Sequence, residues 1–181
     1  PEEAKRCLYM EIGTPQETRA LRVFEESLTS NNMNYIVESD QERRTYPSGR
    51  YTIIGRFDAL IKSNNVSEDG TRPRTVRGVV EVKTRMNGFY NNPADVTQLA
   101  IYSRMAKKAP AMIYVLVQYD PYTSDIEKKS YSYAELDDHW NGFVKPGLTR
   151  LYSRICSTWR DRTVVGSDNY IGNQYYKALV A

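Results

Sequence analysis

Residues 79–85 read VVEVKTR, and their valines predict a buried β-strand. Side chains alternate between the two faces of a strand, so Glu81 and Lys83 lie on one face and Val80 and Val82 on the other. A buried acid or base is very costly unless another charge or a metal ion compensates it. The stretch therefore predicts a central strand that brings a charged site into the interior of a sheet.

A second acid precedes this strand along the chain. Asp58 lies in GRFDAL, within the preceding predicted strand, and it converges with Glu81 if the two strands pair. Two carboxylates and a backbone carbonyl, for which Val82 is the nearest candidate, form an oxygen-only site that suits Mg²⁺ or Mn²⁺. Lys83 would orient or deprotonate a water, or neutralise phosphate charge in a transition state. The pattern favours phosphodiester hydrolysis; the alternative is a structural ion pair between Glu81 and Lys83 or a nearby arginine.

The order of the predicted elements indicates one α/β domain spanning residues 1–181, with a motif-bearing core over about 13–119. Three early strands with short links and a later strand–helix–strand unit predict a mixed central β-sheet flanked by helices. Pro47-Ser48-Gly49 predicts a turn. The predicted strands are 34–46, 51–62, 76–84, 111–119 and 126–133; the predicted helices are about 14–30, 92–109 and a C-terminal part, 134–161, broken at Pro146.

Composition excludes several classes of protein. The 181 residues carry a net charge of +3, so any basic surface has to be local. We expect no membrane span and no secretory signal, and Pro1 in place of Met suggests a longer parent chain or a processed product. The single histidine, His139, argues against a zinc hydrolase, a Ser-His-Asp triad and a Cys-His pair. Cys7 and Cys156 lack metal-ligand spacing and favour a reducing, intracellular setting.

Four short motifs occur in a defined order along the chain. They are GTPQETRA at residues 13–20, Asp58, Glu81-Val82-Lys83, and Gln98 with Tyr102 in QLAIY. The second and third resemble the core of the PD-(D/E)XK nuclease superfamily. The other two resemble the G-x-x-x-E-x-x-A and Q-x-x-x-Y motifs of its RecB-like branch, which includes lambda-exonuclease-like and YqaJ-like enzymes. The resemblance covers residues 13 to about 118 and departs from the pattern at Phe57, where the family has the Pro of PD.

For the strand residues, this resemblance implies a complete hydrolytic centre. Asp58, Glu81 and the Val82 carbonyl would be ligands of Mg²⁺ or Mn²⁺, and Lys83 would be the catalytic lysine. The fold implied is a restriction-endonuclease-like core, with a mixed sheet carrying the site.

The helix residues have competing structural explanations. The resemblance implies that Glu17 binds the metal directly or through water, but Thr14, Pro15 and Glu17 also fit the N-cap, N1 and N3 positions of a capping box. It implies that Gln98 and Tyr102 hold their helix against the active site and contact substrate phosphate or base. Tyr102 also fits a plain core position one turn from Gln98.

Basic and aromatic residues near these motifs are candidate nucleic-acid contacts. Arg56 and Arg85 lie close in sequence to the two acids, and phosphate binding needs such local charge. Phe89 and Tyr90, in the link NGFYNN, would stack on bases or wedge a duplex end, or else pack at the rim of the sheet. Further basic candidates are Arg72, Arg74, Arg77, Arg104, Lys107 and Lys108.

The leading expectation is a metal-dependent DNA nuclease, by resemblance an exonuclease or end-processing enzyme of DNA repair or recombination. One alternative is an RNA endonuclease of the cap-snatching type, but such enzymes usually add a histidine to the metal site, and His139 is distant from the motifs in sequence. Another is a catalytically silent nucleic-acid-binding module, against which the intact Asp58, Glu81 and Lys83 argue. Expected partners are DNA, alternatively RNA, with a helicase, polymerase or recombination partner, since no Walker A pattern occurs.

Overall fold

Over the residues that the structure describes, the chain forms one helix, five successive strands, a second helix, two more strands and a helical C-terminal part. The computed structural model describes residues 2–31, 33–40, 42–49, 51–64, 75–106 and 112–160, with the backbone alone at 2–14 and 158–160. In chain order the elements are α1 (Glu2–Thr29), β1 (Tyr35–Ser39), β2 (Arg44–Ser48), β3 (Tyr51–Gly55), β4 (Ala59–Ser63), β5 (Val76–Thr84), α2 (Pro93–Met105), β6 (Ile113–Tyr119), β7 (Ile126–Tyr131), α3 (Tyr133–His139), a π-helical turn (Trp140–Val144) and α4 (Lys145–Arg160).

Five of the strands form the central sheet, in the order β1-β4-β5-β6-β7. The β5–β6 pair is parallel and the other pairs are antiparallel, because α2 crosses over between β5 and β6. The predicted mixed sheet flanked by helices is therefore confirmed. β5 lies at the centre, and the sheet interior accounts for its predicted apolar character.

Each face of the sheet carries its own hydrophobic core. On one face, Val80 and Val82 of β5 pack with Phe24 and Leu28 of α1. On the other, Val79 packs with residues of β6, α2, α3 and the π-helical turn. The alternation along β5 places Glu81 and Lys83 on the α2 face, together with Val79.

The predicted strands 34–46 and 51–62 are each divided, which corrects the sequence interpretation. β1 and β4 join the central sheet, whereas β2 and β3 pair only with each other, as a hairpin turned at Gly49, whose φ is +62°. The ring of Tyr46 in this hairpin packs edge-on against Trp140, with centroids 5.6 Å apart. Strand propensity does not reveal where a chain leaves one sheet for another, because tertiary partners decide it.

The helix start predicted at Thr14 is also wrong. α1 begins at Glu2 and contains Pro15 in its interior, so neither Thr14 nor Glu17 stands at a helix start. Residues 2–13, EEAKRCLYMEIG, are rich in Ala, Leu, Met, Glu and Lys, which favour helix and extend it past the local start signal.

The C-terminal helical part breaks earlier than predicted. The irregularity is the π-helical turn Trp140–Val144, whereas Pro146 lies in the first turn of α4, a position that tolerates proline. Trp140 and Val144 are both buried there, so the wider turn serves core packing. In the part of the chain that the structure describes, no helix is long and apolar enough to cross a membrane.

Candidate active site

The two acids predicted to converge lie side by side, one on β5 and the other directly before β4. Ala59 pairs with Val80, so Asp58, which precedes β4 by one residue, reaches the level of Glu81. Asp58 Oδ2 accepts a 2.7 Å hydrogen bond from the backbone N–H of Val82. This bond holds the Asp58 carboxylate against the middle of β5.

Glu81 is more deeply buried than Asp58 and Lys83, with 1% of its surface exposed. Its Oε1 forms an ion pair with Lys83 Nζ, and its Oε2 is buried without a hydrogen-bond partner. Burial, reinforced by the nearby Asp58 carboxylate, raises the pKa of Glu81 to about 8, although Lys83 opposes the shift. Within the described residues, Oε2 accepts no hydrogen bond and is available to a ligand.

Lys83 is held by a chain of hydrogen bonds from α2. Its Nζ donates to Gln98 Oε1 at 2.8 Å, and Gln98 Nε2 donates to Tyr102 Oη at 2.8 Å. The four-residue spacing of Gln98 and Tyr102 places both on one helix face. α2 therefore fixes the direction of the ammonium group, and Gln98 is itself positioned by Tyr102.

Phe57 has a structural role that the sequence interpretation missed. It stands where the PD motif that this segment resembles has its proline, is 2% exposed, and packs edge-on against Tyr102 with ring centroids 4.9 Å apart. The Arg44 guanidinium lies over the Phe57 ring at 4.7 Å. Phe57 thereby ties the segment that carries Asp58 to the helix that orients Lys83. The one signal in the sequence was a large apolar residue directly before the acid.

Glu17 faces the same group of charges from α1. It is half-buried, and its pKa is raised by burial and by the Asp58 carboxylate, while Lys83 acts in the opposite direction. Because Glu17 lies inside a continuous helix, a capping role does not account for it. The structure thus brings Glu17, Asp58, Glu81 and Lys83 close enough together for their charges to interact.

Glu17→Gln is expected to slow the phosphodiester hydrolysis that the sequence predicts by about 10- to 100-fold, the usual loss when a residue supporting a metal site is changed. The melting temperature should hardly change, because the amide keeps the shape and removes a carboxylate that burial already disfavours. The matched control is Glu26→Gln, an exposed acid of the same helix. A fall in melting temperature with normal cleavage would assign Glu17 a purely structural role.

Of the two arginines predicted to bind nucleic acid, only Arg56 is exposed. Arg85 is 9% exposed; it forms an ion pair with Asp95 at the start of α2, and its Nε donates to Gln118 Oε1 at 3.0 Å. A phosphate contact by Arg85 would therefore require Asp95 to release it. Both nucleic-acid roles stay predictions.

The other basic candidates divide between exposed, paired and undescribed positions. Arg77 is exposed, whereas Arg104 is bonded to Asp137 and Tyr133 beneath α3. Arg72, Arg74, Lys107 and Lys108 lie outside the described residues. The sequence analysis did not predict the ion pair between Asp95 and Arg85, because an acid in the first turn of a helix is common and indicates no particular partner.

Asp95→Ala is expected to lower the free energy of unfolding by about 3–5 kcal/mol, because it leaves the Arg85 charge buried without its partner. Urea denaturation measures the change. Glu26→Ala, which removes an ion pair exposed by 69% on both sides, should cost about 1 kcal/mol or less. Equal losses in the two variants would contradict a special role for the buried pair.

The carboxylate pair fits a hard divalent cation that keeps most of its own waters. Within the described residues no three His, Cys, Asp or Glu side chains form a ready metal cage. Mg²⁺ is usually bound by one or two carboxylates plus substrate phosphates rather than by an all-protein cage. Asp58 and the unsatisfied Glu81 Oε2 match that donor set. The Val82 carbonyl as a third ligand stays a prediction; its amide is committed to Asp58.

Comparisons with known proteins add little to this geometry. No protein-family model matches the chain. No curated protein matches it either. Among solved structures, the crystal structure of SSO0001 is similar, with 23% sequence identity and a TM-score of 0.36. The match covers 63% of this chain and 52% of that one, so the chain spans about half the length of SSO0001.

Proposed function

We propose that this protein is a metal-dependent nuclease that hydrolyses phosphodiester bonds of DNA with Mg²⁺ or Mn²⁺. The observation that carries the proposal is the meeting of Asp58, Glu81 and Lys83 at one point of the central sheet. A structural ion pair needs only Glu81 and Lys83. It accounts neither for a second carboxylate beside the first nor for the unsatisfied Glu81 Oε2.

The chain's own residues have distinct tasks in this reaction. Asp58 and Glu81 would hold the cation, with Glu17 supporting it directly or through water. A bound divalent cation lowers the pKa of water and polarises a phosphoryl oxygen. Lys83, directed by Gln98, would neutralise the charge that develops on the phosphoryl oxygens and orient the attacking water. The water oxygen loses a proton to solvent and bonds to phosphorus as the bond from phosphorus to one sugar oxygen breaks, and that sugar oxygen takes up a proton from solvent.

The choice of DNA, and of an exonuclease or end-processing enzyme in repair or recombination, rests on the resemblance to the RecB-like branch. The Gln98–Tyr102 pair supports it, because the structure connects this pair to Lys83 rather than to the core alone. The proposal includes an intracellular setting, a restriction-endonuclease-like core, and a helicase, polymerase or recombination protein as partner. An RNA endonuclease of the cap-snatching type is less favoured, because such enzymes usually add a histidine to the metal site. Here His139 instead forms a hydrogen bond with Thr97 and lies against the ring of Phe143.

The test is cleavage of end-labelled DNA, single- and double-stranded, linear and circular, with an RNA control. Each substrate is incubated with Mg²⁺, Mn²⁺ or EDTA. Metal-dependent degradation of linear DNA, with circular DNA spared, would support an exonuclease, and cleavage of circles would indicate an endonuclease. Preferential cleavage of RNA would replace the substrate. Binding without cleavage under every condition would contradict the nuclease and favour a nucleic-acid-binding module.

A further inference from the structure

A group of exposed apolar side chains lies in the link between β5 and α2. Met86, Phe89 and Tyr90 are exposed by 51%, 36% and 52% and occur within five residues of each other. We call these three residues the aromatic platform. Gly88, with φ of +82°, supplies the turn between Met86 and Phe89. Tyr90 lies at the rim of the sheet, against Arg85, so the structural alternative holds for part of its surface while about half of the residue stays exposed.

Tyr90 is firmly anchored despite its exposure. The Arg85 guanidinium lies over its ring, 4.4 Å from the centroid, and Asp95 and Gln118 in turn hold Arg85. The backbone N–H of Tyr90 donates to Gln118 Oε1 at 3.2 Å. One face of the ring therefore rests on a buried cation, and about half of the side chain remains open to solvent.

The anchor also sets the position of the platform relative to the candidate site. Gln118 of β6 pairs in register with Lys83 of β5, so the two side chains stand next to each other on the same face of the sheet. Tyr90 is bonded to the first of these residues, and the second lies in the ion pair with Glu81. The backbone of Tyr90 is thus fixed to the sheet position that neighbours Lys83.

We propose that the aromatic platform is a stacking site for a nucleobase of the strand whose phosphate lies at Asp58, Glu81 and Lys83. The inference rests on the proposed function and names how the substrate is gripped. A preordered ring with one open face loses little entropy on stacking, and every nucleobase offers a π-face of matching size. A nucleic acid is favoured over a protein partner because the platform is continuous with a site built for phosphate.

The proposal predicts binding that depends on the base beside the cleaved phosphate. The experiment measures fluorescence anisotropy of two short labelled single strands, one intact and one with abasic sugars at successive positions. Ca²⁺ replaces Mg²⁺, and a gel checks that the strands stay intact. The wild-type protein should bind the intact strand about 5- to 100-fold more tightly, as stacking of one base on an aromatic ring implies.

Three variants isolate the ring. Tyr90→Leu keeps apolar packing over Arg85 and should lose most of the preference for the intact strand, whereas Tyr90→Trp should keep it. Tyr122→Ala, which removes a tyrosine exposed by 72% from the β6–β7 turn, should bind both strands like wild type. Thermal unfolding of each variant shows whether the fold is retained, and Tyr90→Trp answers the question if Tyr90→Leu is unstable.

The outcomes separate this inference from the proposed nuclease. Cleavage by wild type together with an unchanged base preference in Tyr90→Leu would overturn the platform and leave the nuclease standing. A Tyr90-dependent base preference without metal-dependent cleavage would support the platform and overturn the nuclease. A shift in oligomeric state by light scattering in Tyr90→Leu, with base preference intact, would make the platform a protein interface and overturn the proposal.

Discussion

Lys83→Ala is expected to reduce cleavage of DNA by about 10²- to 10⁴-fold, the range for losing a positioned acid–base or charge-stabilising group. Binding of nucleic acid and of Mn²⁺ should persist, because Asp58 and Glu81 remain. The expected kinetic signature is a lower kcat with a nearly unchanged KM, since the ammonium acts mainly on the transition state. Single-turnover cleavage in saturating Mg²⁺ measures it directly.

The matched control for this variant is Lys128→Ala. Lys128 is an exposed residue of β7, and within the described residues its ammonium group donates a hydrogen bond to Ser27 alone. Because Lys83 lowers the pKa of Glu81, its removal should raise that pKa further and let protons compete with metal. Metal binding by Lys83→Ala and by wild type is therefore compared with Mn²⁺ in large excess. Full activity of Lys83→Ala would remove the lysine from the mechanism.

Glu81→Gln is expected to abolish measurable Mn²⁺ binding in isothermal calorimetry, because it removes the charge of a proposed ligand whose Oε2 has no hydrogen-bond partner among the described residues. Asp58→Asn should weaken binding less severely: its amide oxygen can still accept from the Val82 N–H, although the charge is lost. Asp138→Asn, an exposed acid on α3, is the control. Unchanged titration of both site variants would exclude both residues as ligands.

The Glu81→Gln substitution should also stabilise the metal-free protein at alkaline pH. The pKa of Glu81 is raised from 4.5 to about 8, so the folded state holds a proton that the unfolded state has released between these values. Stability is therefore fully present below pH 4.5 and declines as the pH rises through 8. The glutamine side chain of the variant has no proton to lose, and above that window the variant should be more stable than wild type by about 5 kcal/mol.

Urea denaturation at acidic and alkaline pH, with and without Mn²⁺, tests this reversal. In saturating Mn²⁺ wild type should regain the advantage, because a ligand that binds only the folded state stabilises it. Equal stability of the two proteins across the whole pH range would contradict a buried, destabilised carboxylate. A site that costs stability in the absence of its ligand is typical of function.

Local sequence patterns correctly predicted the features of the fold that depend on neighbouring residues alone, such as the two faces of β5 and the start of α2. The alternation in VVEVKTR correctly assigned the two faces of β5, since a strand has a period of two residues wherever it is placed. Asn92-Pro93 likewise gave the start of α2, where Asn92 accepts from the backbone N–H of Ala94. The prediction of the start of α1 was wrong because residues that favour helix precede the N-cap signal at Thr14. The prediction of two long strands was wrong because the pairing partners that divide them are distant in sequence.

By itself, the sequence determined which residues carry charge into the interior: Asp58, Glu81 and Lys83 stand in apolar surroundings that make them costly wherever they pack. Only the tertiary structure decided what surrounds them. Register across β4 and β5 brings Asp58 to Glu81, and the α2 crossover brings Gln98 to Lys83. The tertiary structure also pairs Arg85 with Asp95 and places the Arg85 guanidinium against the exposed ring of Tyr90. These assignments depend on contacts between distant segments, which burial and strand pairing create and no local pattern encodes.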